Sequence, residues 1–152
     1  MKGYLSRISV SLMTLVLIGL NSLTALATPQ PFHLVEHGKL TFAPDGTVTA
    51  IGAAIATHLG RLTVLRTFTL TPSTEGSDLE VNGQATLTAA NGDRLKASIK
   101  GTLDPQTGHA LLIYEWLGGS GRFVNATGTT VWQVEVYTDQ TYDVTAYGLI
   151  NF

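Results

Sequence analysis

From Phe32 onward the chain alternates apolar and polar residues almost one for one, with Val, Ile and Thr at many of the positions. A period of two is the repeat of an extended strand, whose side chains point to opposite faces in turn. No window longer than ten residues carries a convincing helical period of 3.6. The pattern predicts eight strands, at about 33–42, 47–58, 61–71, 79–90, 93–103, 109–117, 129–138 and 141–151.

The breaks between them are turn sequences. Pro44-Asp45-Gly46 and Asn91-Gly92 are tight-turn signals in which glycine supplies a positive φ. Pro72-Ser73-Thr74-Glu75-Gly76 and Asp104-Pro105-Gln106-Thr107-Gly108 are slightly longer. Short connections make sequence neighbours antiparallel partners. One apolar face per strand suits a sandwich or a barrel. Eight up-and-down strands favour the barrel, because closure removes the exposed edges. The fold expected is therefore all-β, an eight-stranded antiparallel β-barrel, with under about 10% helix against the usual third.

The alternation assigns faces. Leu79, Val81, Ala85 and Leu87 share one face of strand four, and Leu95, Ala97, Ile99 and Leu103 one face of strand five. Trp132, Val134 and Val136 oppose Val131, Gln133 and Glu135 in strand seven. Tyr142, Val144, Ala146, Ile150 and Phe152 are in step in strand eight. Strand six allows two answers: Leu111, Ile113 and Leu117 with Glu115 between them, or Leu112, Tyr114 and Trp116.

Charges on an apolar parity are the informative exceptions, since a buried ion is costly unless paired. Glu36 is in step with Leu34, Leu40 and Phe42; Arg66 with Leu62, Val64, Phe68 and Leu70; Glu115 with Leu111 and Ile113. These three are candidates for a polar cluster inside the barrel, the alternative being groups near the rims or a structural ion pair. Strand two carries Ala50, Gly52, Ala54, Ala56 and His58 on one parity. Such small residues either leave room for a ligand or admit close backbone packing.

Composition excludes several chemistries. There is no cysteine, hence no disulfide, thiolate metal site or cysteine nucleophile. Hydrophobic residues are 44% and charged residues 13%, against a usual charged fraction of about 25%, so the chain is not disordered. A formal net charge of −2 gives no reason to expect nucleic acid. His33 and His37 lie about 13 Å apart on a strand, too far for one ion, so no metal is expected. No motif implies a cofactor.

The first 27 residues read as an address. Lys2 and Arg7 precede an apolar run from Ile8 to Leu20, and Ala25-Leu26-Ala27 is a small-x-small cleavage pattern. The expectation is a signal peptide cut after Ala27, giving a secreted or periplasmic domain over 28–152. Without a cysteine at the cut, no bacterial lipid anchor is expected. Losing Lys2 and Arg7 leaves seven basic against eleven acidic residues, a formal −4.

One segment has a family likeness. Gly118-Gly119-Ser120-Gly121-Arg122-Phe123-Val124-Asn125-Ala126-Thr127-Gly128 resembles the Gly-Gly-Ser/Thr-Gly-x-Phe-x-x-Ala-x-Gly signature of the allene oxide cyclase-like barrels, which include the dirigent proteins. Thr57-His58-Leu59-Gly60-Arg61 and Leu87-Thr-Ala-Ala-Asn-Gly-Asp-Arg-Leu95 are similar to segments of small secreted bacterial proteins with that signature. The resemblance implies a calycin-type barrel. No catalytic residue of the plant enzymes has a counterpart outside the turn. Physically, residues 118–121 permit a sharp reversal, Phe123 plugs one barrel end, and Ala126 with Gly128 lets the next strand start close to its neighbours. Arg122 alone in the segment has chemical reach.

The function that follows is a soluble barrel binding a small apolar ligand in its lumen. Glu36, Arg66, Glu115, Arg122 and His58 are the candidate contacts. An isomerase, cyclase or dirigent-like coupling protein is the alternative, then a filled structural or interaction barrel. A homo-oligomer is compatible with all three. Eight strands and a signal peptide also suit an outer-membrane barrel, but 8% aromatic residues are thin for two girdles.

Overall fold

A computed structural model describes residues 28–74 and 76–152. The expected signal peptide and its cleavage site lie outside them, save that Thr28 is the first described residue. Eight strands run β1 Gln30–Phe42, β2 Thr47–Ala56, β3 Gly60–Pro72, β4 Leu79–Ala89, β5 Arg94–Leu103, β6 His109–Gly119, β7 Thr127–Val136 and β8 Thr141–Asn151. Each pairs antiparallel with its neighbours, and β1 pairs with β8 to close the barrel. Among the described residues the only helical element is a 3-10 turn, Gly121–Phe123.

The strands match the sequence expectation to within three residues at each end, with two consequences. β2 stops at Ala56, so His58 falls in the turn that follows, with φ of 61°. β7 stops at Val136, so Tyr137 and Thr138 belong to the next turn.

The turns divide into two sets. Those after β1, β3, β5 and β7 surround one end, the mouth. Those after β2, β4 and β6 surround the other, and there the lumen is closed. Phe123 from the β6–β7 connection is fully buried and meets Phe152 edge-on at 5.2 Å. Arg122 lies over the Phe123 ring and donates to the carbonyls of His58 and Leu59 at 3.3 and 3.2 Å. Its Nε also lies 3.9 Å from the Asp93 carboxylate. One side chain thus ties all three turns of the closed end together.

The reversal that carries Arg122 there needs its glycines. Gly118 and Gly121 have φ of 80° and 59°, a region side chains with a Cβ rarely adopt. Gly119 has ordinary φ, but a Cβ there would strike the Arg94 carbonyl.

The core is the lumen. Toward the closed end it is filled by large rings: Tyr114 stacks on Trp132 at 4.1 Å, and Phe32 and Trp116 complete the group. Trp132 Nε1 donates to Thr130 Oγ1 at 2.8 Å. Trp116 Nε1 is buried with no acceptor among the described residues.

Candidate functional site

Where the filled half ends, four polar side chains meet. Glu36 projects inward from β1 and Arg66 from β3, 5% and 3% exposed. Burial of this depth requires pairing, and the pairing is bidentate. Arg66 Nη1 donates to Glu36 Oε1 at 2.6 Å, and Nη2 to Oε2 at 2.5 Å. Arg66 Nε donates to the Tyr114 hydroxyl on β6. The Tyr142 hydroxyl on β8 accepts from Arg66 Nη1 at 3.1 Å and donates to Glu36 Oε1 at 2.7 Å. The guanidinium also lies 5.1–5.7 Å from the rings of Trp132, Tyr142 and Tyr114, within cation–π range.

The backbone makes room for this cluster. Gly38 and Gly52 face each other across β1 and β2, and Gly38 also faces Tyr142 on β8. A Cβ on Gly52 would strike Glu36 and Tyr142, and one on Gly38 would strike Tyr142. Gly52 in the small-residue stretch of β2, and Gly38 opposite it on β1, therefore admit polar side chains as well as close strands.

Electrostatics follow from burial. Desolvation acts to lower the Arg66 pKa, but attraction to Tyr114 and Glu36 and the Glu36 hydrogen bonds reverse this, holding it well above its ordinary value. Burial, opposed by the Arg66 charge, pushes the Tyr114 phenol up to about 12. Tyr142 is raised in the same way, again chiefly by desolvation. At neutral pH Arg66 is a cation and the two phenols are neutral.

Beyond the cluster, toward the mouth, the lumen is hollow. A cavity of about 420 Å³ is lined by apolar side chains from every strand, among them Leu40, Val48, Phe68, Leu70, Leu103 and Val136. It reaches the turns at Pro105–Gly108 and Tyr137–Thr138, and its wall includes Arg66 and Tyr142. Its size falls within the range of roughly 300–1,000 Å³ usual for small-molecule sites.

The five residues singled out from sequence separate. Glu36 and Arg66 meet in the lumen. Glu115 does not join them: β6 buries Leu112, Tyr114 and Trp116, and Glu115 is exposed on the outer wall. The reason is packing. The aromatic set fills the closed half, and turning it outward would replace rings by shorter aliphatics and bury an unpaired carboxylate. His58 and Arg122 lie together, but at the closed end, where the arginine binds backbone carbonyls. Both side chains are exposed, away from the cavity. The residues that sequence reasoning missed are Tyr114 and Tyr142. The available signal was Tyr142 in step with Val144 and Ala146, since a buried tyrosine hydroxyl needs a partner.

A scan against protein-family models finds no match to this chain, and a search of curated proteins finds none. What the fold and the site define is a closed eight-stranded barrel, half filled and half hollow, with a buried ion pair at the boundary.

Proposed function

We propose that the protein is a small-ligand-binding barrel of the allene oxide cyclase-like kind, exported from the cell and holding one largely apolar molecule in its mouth cavity. The observation that carries this is the cavity itself. An eight-stranded lumen is just wide enough to be filled by side chains or to hold one small ligand, and here one half does the first while the other is left hollow. The lining is apolar with a few convergent polar groups, the usual composition of a ligand site. The interior supports a barrel in water: the lumen is apolar, whereas that of a lipid-spanning barrel is polar. The outer wall carries Lys96, Lys100, Glu115 and Glu135 among exposed Ile51, Ile55, Leu65, Leu111 and Ile113.

The test is uptake of an uncharged apolar dye, N-phenylnaphthylamine, by the 28–152 domain. Saturable one-to-one enhancement is expected, abolished by Val81→Trp, which fills the cavity. Enhancement that survives Val81→Trp places the dye elsewhere and overturns the reading.

A second reading, an isomerase or cyclase, is favoured by one observation: Arg66, beside two phenols, borders the cavity. It requires turnover of a bound molecule, whereas a carrier returns its ligand unchanged.

A further inference from the structure

The charge state of the cavity floor restricts what the cavity can hold. Resting on the reading of that cavity as a ligand site, we infer that its ligand is an uncharged molecule, and that carboxylates and ammonium ions are excluded.

The donors and charges on the floor decide this. Among the described residues, Arg66 is the one charged group lining the cavity. A cavity with a free arginine would be an acid-binding site, because guanidinium and carboxylate form a two-pronged pair. Here that pair is already made. Both Glu36 oxygens are held by Nη1 and Nη2, and both residues are buried. An arriving carboxylate would meet a neutral ion pair, lose its hydration and stand close to Glu36, so burial and like-charge repulsion both oppose it. An ammonium ion faces the converse difficulty. The carboxylate that would attract it is shielded by Arg66, and Arg66 is the charge at the cavity wall.

The donors of the floor are likewise committed. Arg66 gives Nε to Tyr114, Nη1 to Glu36 and Tyr142, and Nη2 to Glu36. Its remaining N–H, on Nη2, lies on the Nε edge beside Tyr114, which is fully buried and does not line the cavity. The Tyr142 proton is committed to Glu36. No free donor at the cavity wall is left to compensate a buried anion.

The test uses three probes of equal length, a ten-carbon methyl ketone, the ten-carbon carboxylate and the ten-carbon alkylammonium. Each displaces N-phenylnaphthylamine from the 28–152 domain at neutral pH, below its micelle concentration. The ketone is expected to bind at least tenfold tighter than either ion. A carboxylate that binds as tightly as the ketone overturns the inference while leaving the ligand site intact. Failure of the dye and all three probes to bind overturns the site itself. Two variants tie the preference to the cluster. Glu36→Gln leaves Arg66 without a counter-ion and should raise carboxylate affinity at least tenfold relative to the ketone. The double variant Glu36→Gln, Arg66→Met removes both charges together, so no ion is left buried alone. It should keep the preference against ions. A double variant that binds the carboxylate as tightly as the ketone overturns the inference even where the single variant does not fold.

Discussion

Toward its closed end the lumen is packed with four rings whose centroids lie 4.1 to 6.4 Å apart from neighbour to neighbour. Toward its mouth the same strands present Leu40, Phe68, Leu70, Leu103, Val134 and Val136, each only partly buried, around about 420 Å³ of space. Both halves are apolar and both obey the same alternation. They differ in side-chain reach. Indole and phenol rings from β6 and β7 span a narrow barrel, while most of the mouth-side groups are aliphatic chains that cover the wall without crossing it. Stability should therefore be concentrated in the closed half and binding in the open one, with the Glu36–Arg66 pair dividing them.

The largest effects should come from the closed half and from the divide. Trp132→Ala removes the ring stacked on Tyr114 and leaves Thr130 without its donor, and should cost about 3–5 kcal/mol. Leu70→Ala, at the edge of an existing cavity, should cost about 1 kcal/mol, below the usual range of about 2–5 for its type because little packing is lost. Glu36→Gln leaves a buried guanidinium short of its counter-ion and should also cost about 3–5 kcal/mol. Denaturant midpoints of the three variants decide the matter. If Leu70→Ala is as damaging as Trp132→Ala, the halves are not energetically distinct.

The divide can also be weakened by alkali. The Tyr114 phenol is raised from 10.0 to about 12 by burial. Being raised in the folded state, it contributes stability that is fully present below pH 10 and is lost as pH climbs from 10 to 12, where the unfolded chain ionises and the native one resists. Two pKa units correspond to about 2–3 kcal/mol. Tyr142 acts with the same sign. Stability measured across that range should fall for the native sequence and fall less for Tyr114→Phe.

Gly121→Val attacks the cap of the closed end. It forces a β-branched residue to a φ of 59° and drives its Cβ against the Asp93 carboxylate. A cost of about 1–3 kcal/mol is expected, read as a lower melting temperature. An unchanged melting temperature would mean that the cap is not what closes the barrel.

How much of this was legible differs between wall and lumen. Strand positions and the barrel could be read because alternation is local: each residue reports its face by parity alone, and Pro44-Asp45-Gly46 or Asn91-Gly92 reports the next turn. Glu36 and Arg66 could be read as inward for the same reason. Parity fails where both faces are apolar, as in β6, and there only the size of the rings against the space to be filled decides. That quantity belongs to the closed barrel and not to any one strand. The Glu36–Arg66 contact was legible only as one candidate pairing among three charges read as inward, because parity reports a direction and not a partner, and β1 and β3 are not neighbours. Their side chains meet across the lumen, through space opened by Gly38 and Gly52. The half-hollow interior was the least legible feature, since Leu40, Leu70 and Val136 look in sequence just like the residues of a filled core.

The smallest expected effect separates the halves most sharply, because one added side chain should act with opposite signs. Ala97 on β5 is 1% exposed and pairs with Trp116 across β6. Ala97→Leu inserts three carbons among rings already in contact and should destabilise by about 1–3 kcal/mol. Ala110 on β6 borders the mouth cavity. Ala110→Leu adds the same atoms to empty space, so they gain apolar contact without displacing a neighbour, and stability should hold or rise by up to about 1 kcal/mol. The gain has a functional counterpart: volume taken by the larger side chain is lost to the ligand, so dye affinity should drop in this variant and stay unchanged in Ala97→Leu if that variant folds. Thermal melts paired with dye titrations read both quantities on the same samples. Equal destabilisation by the two substitutions would show that the mouth is packed as tightly as the closed end, and the division of the lumen into a supporting half and a binding half would fail.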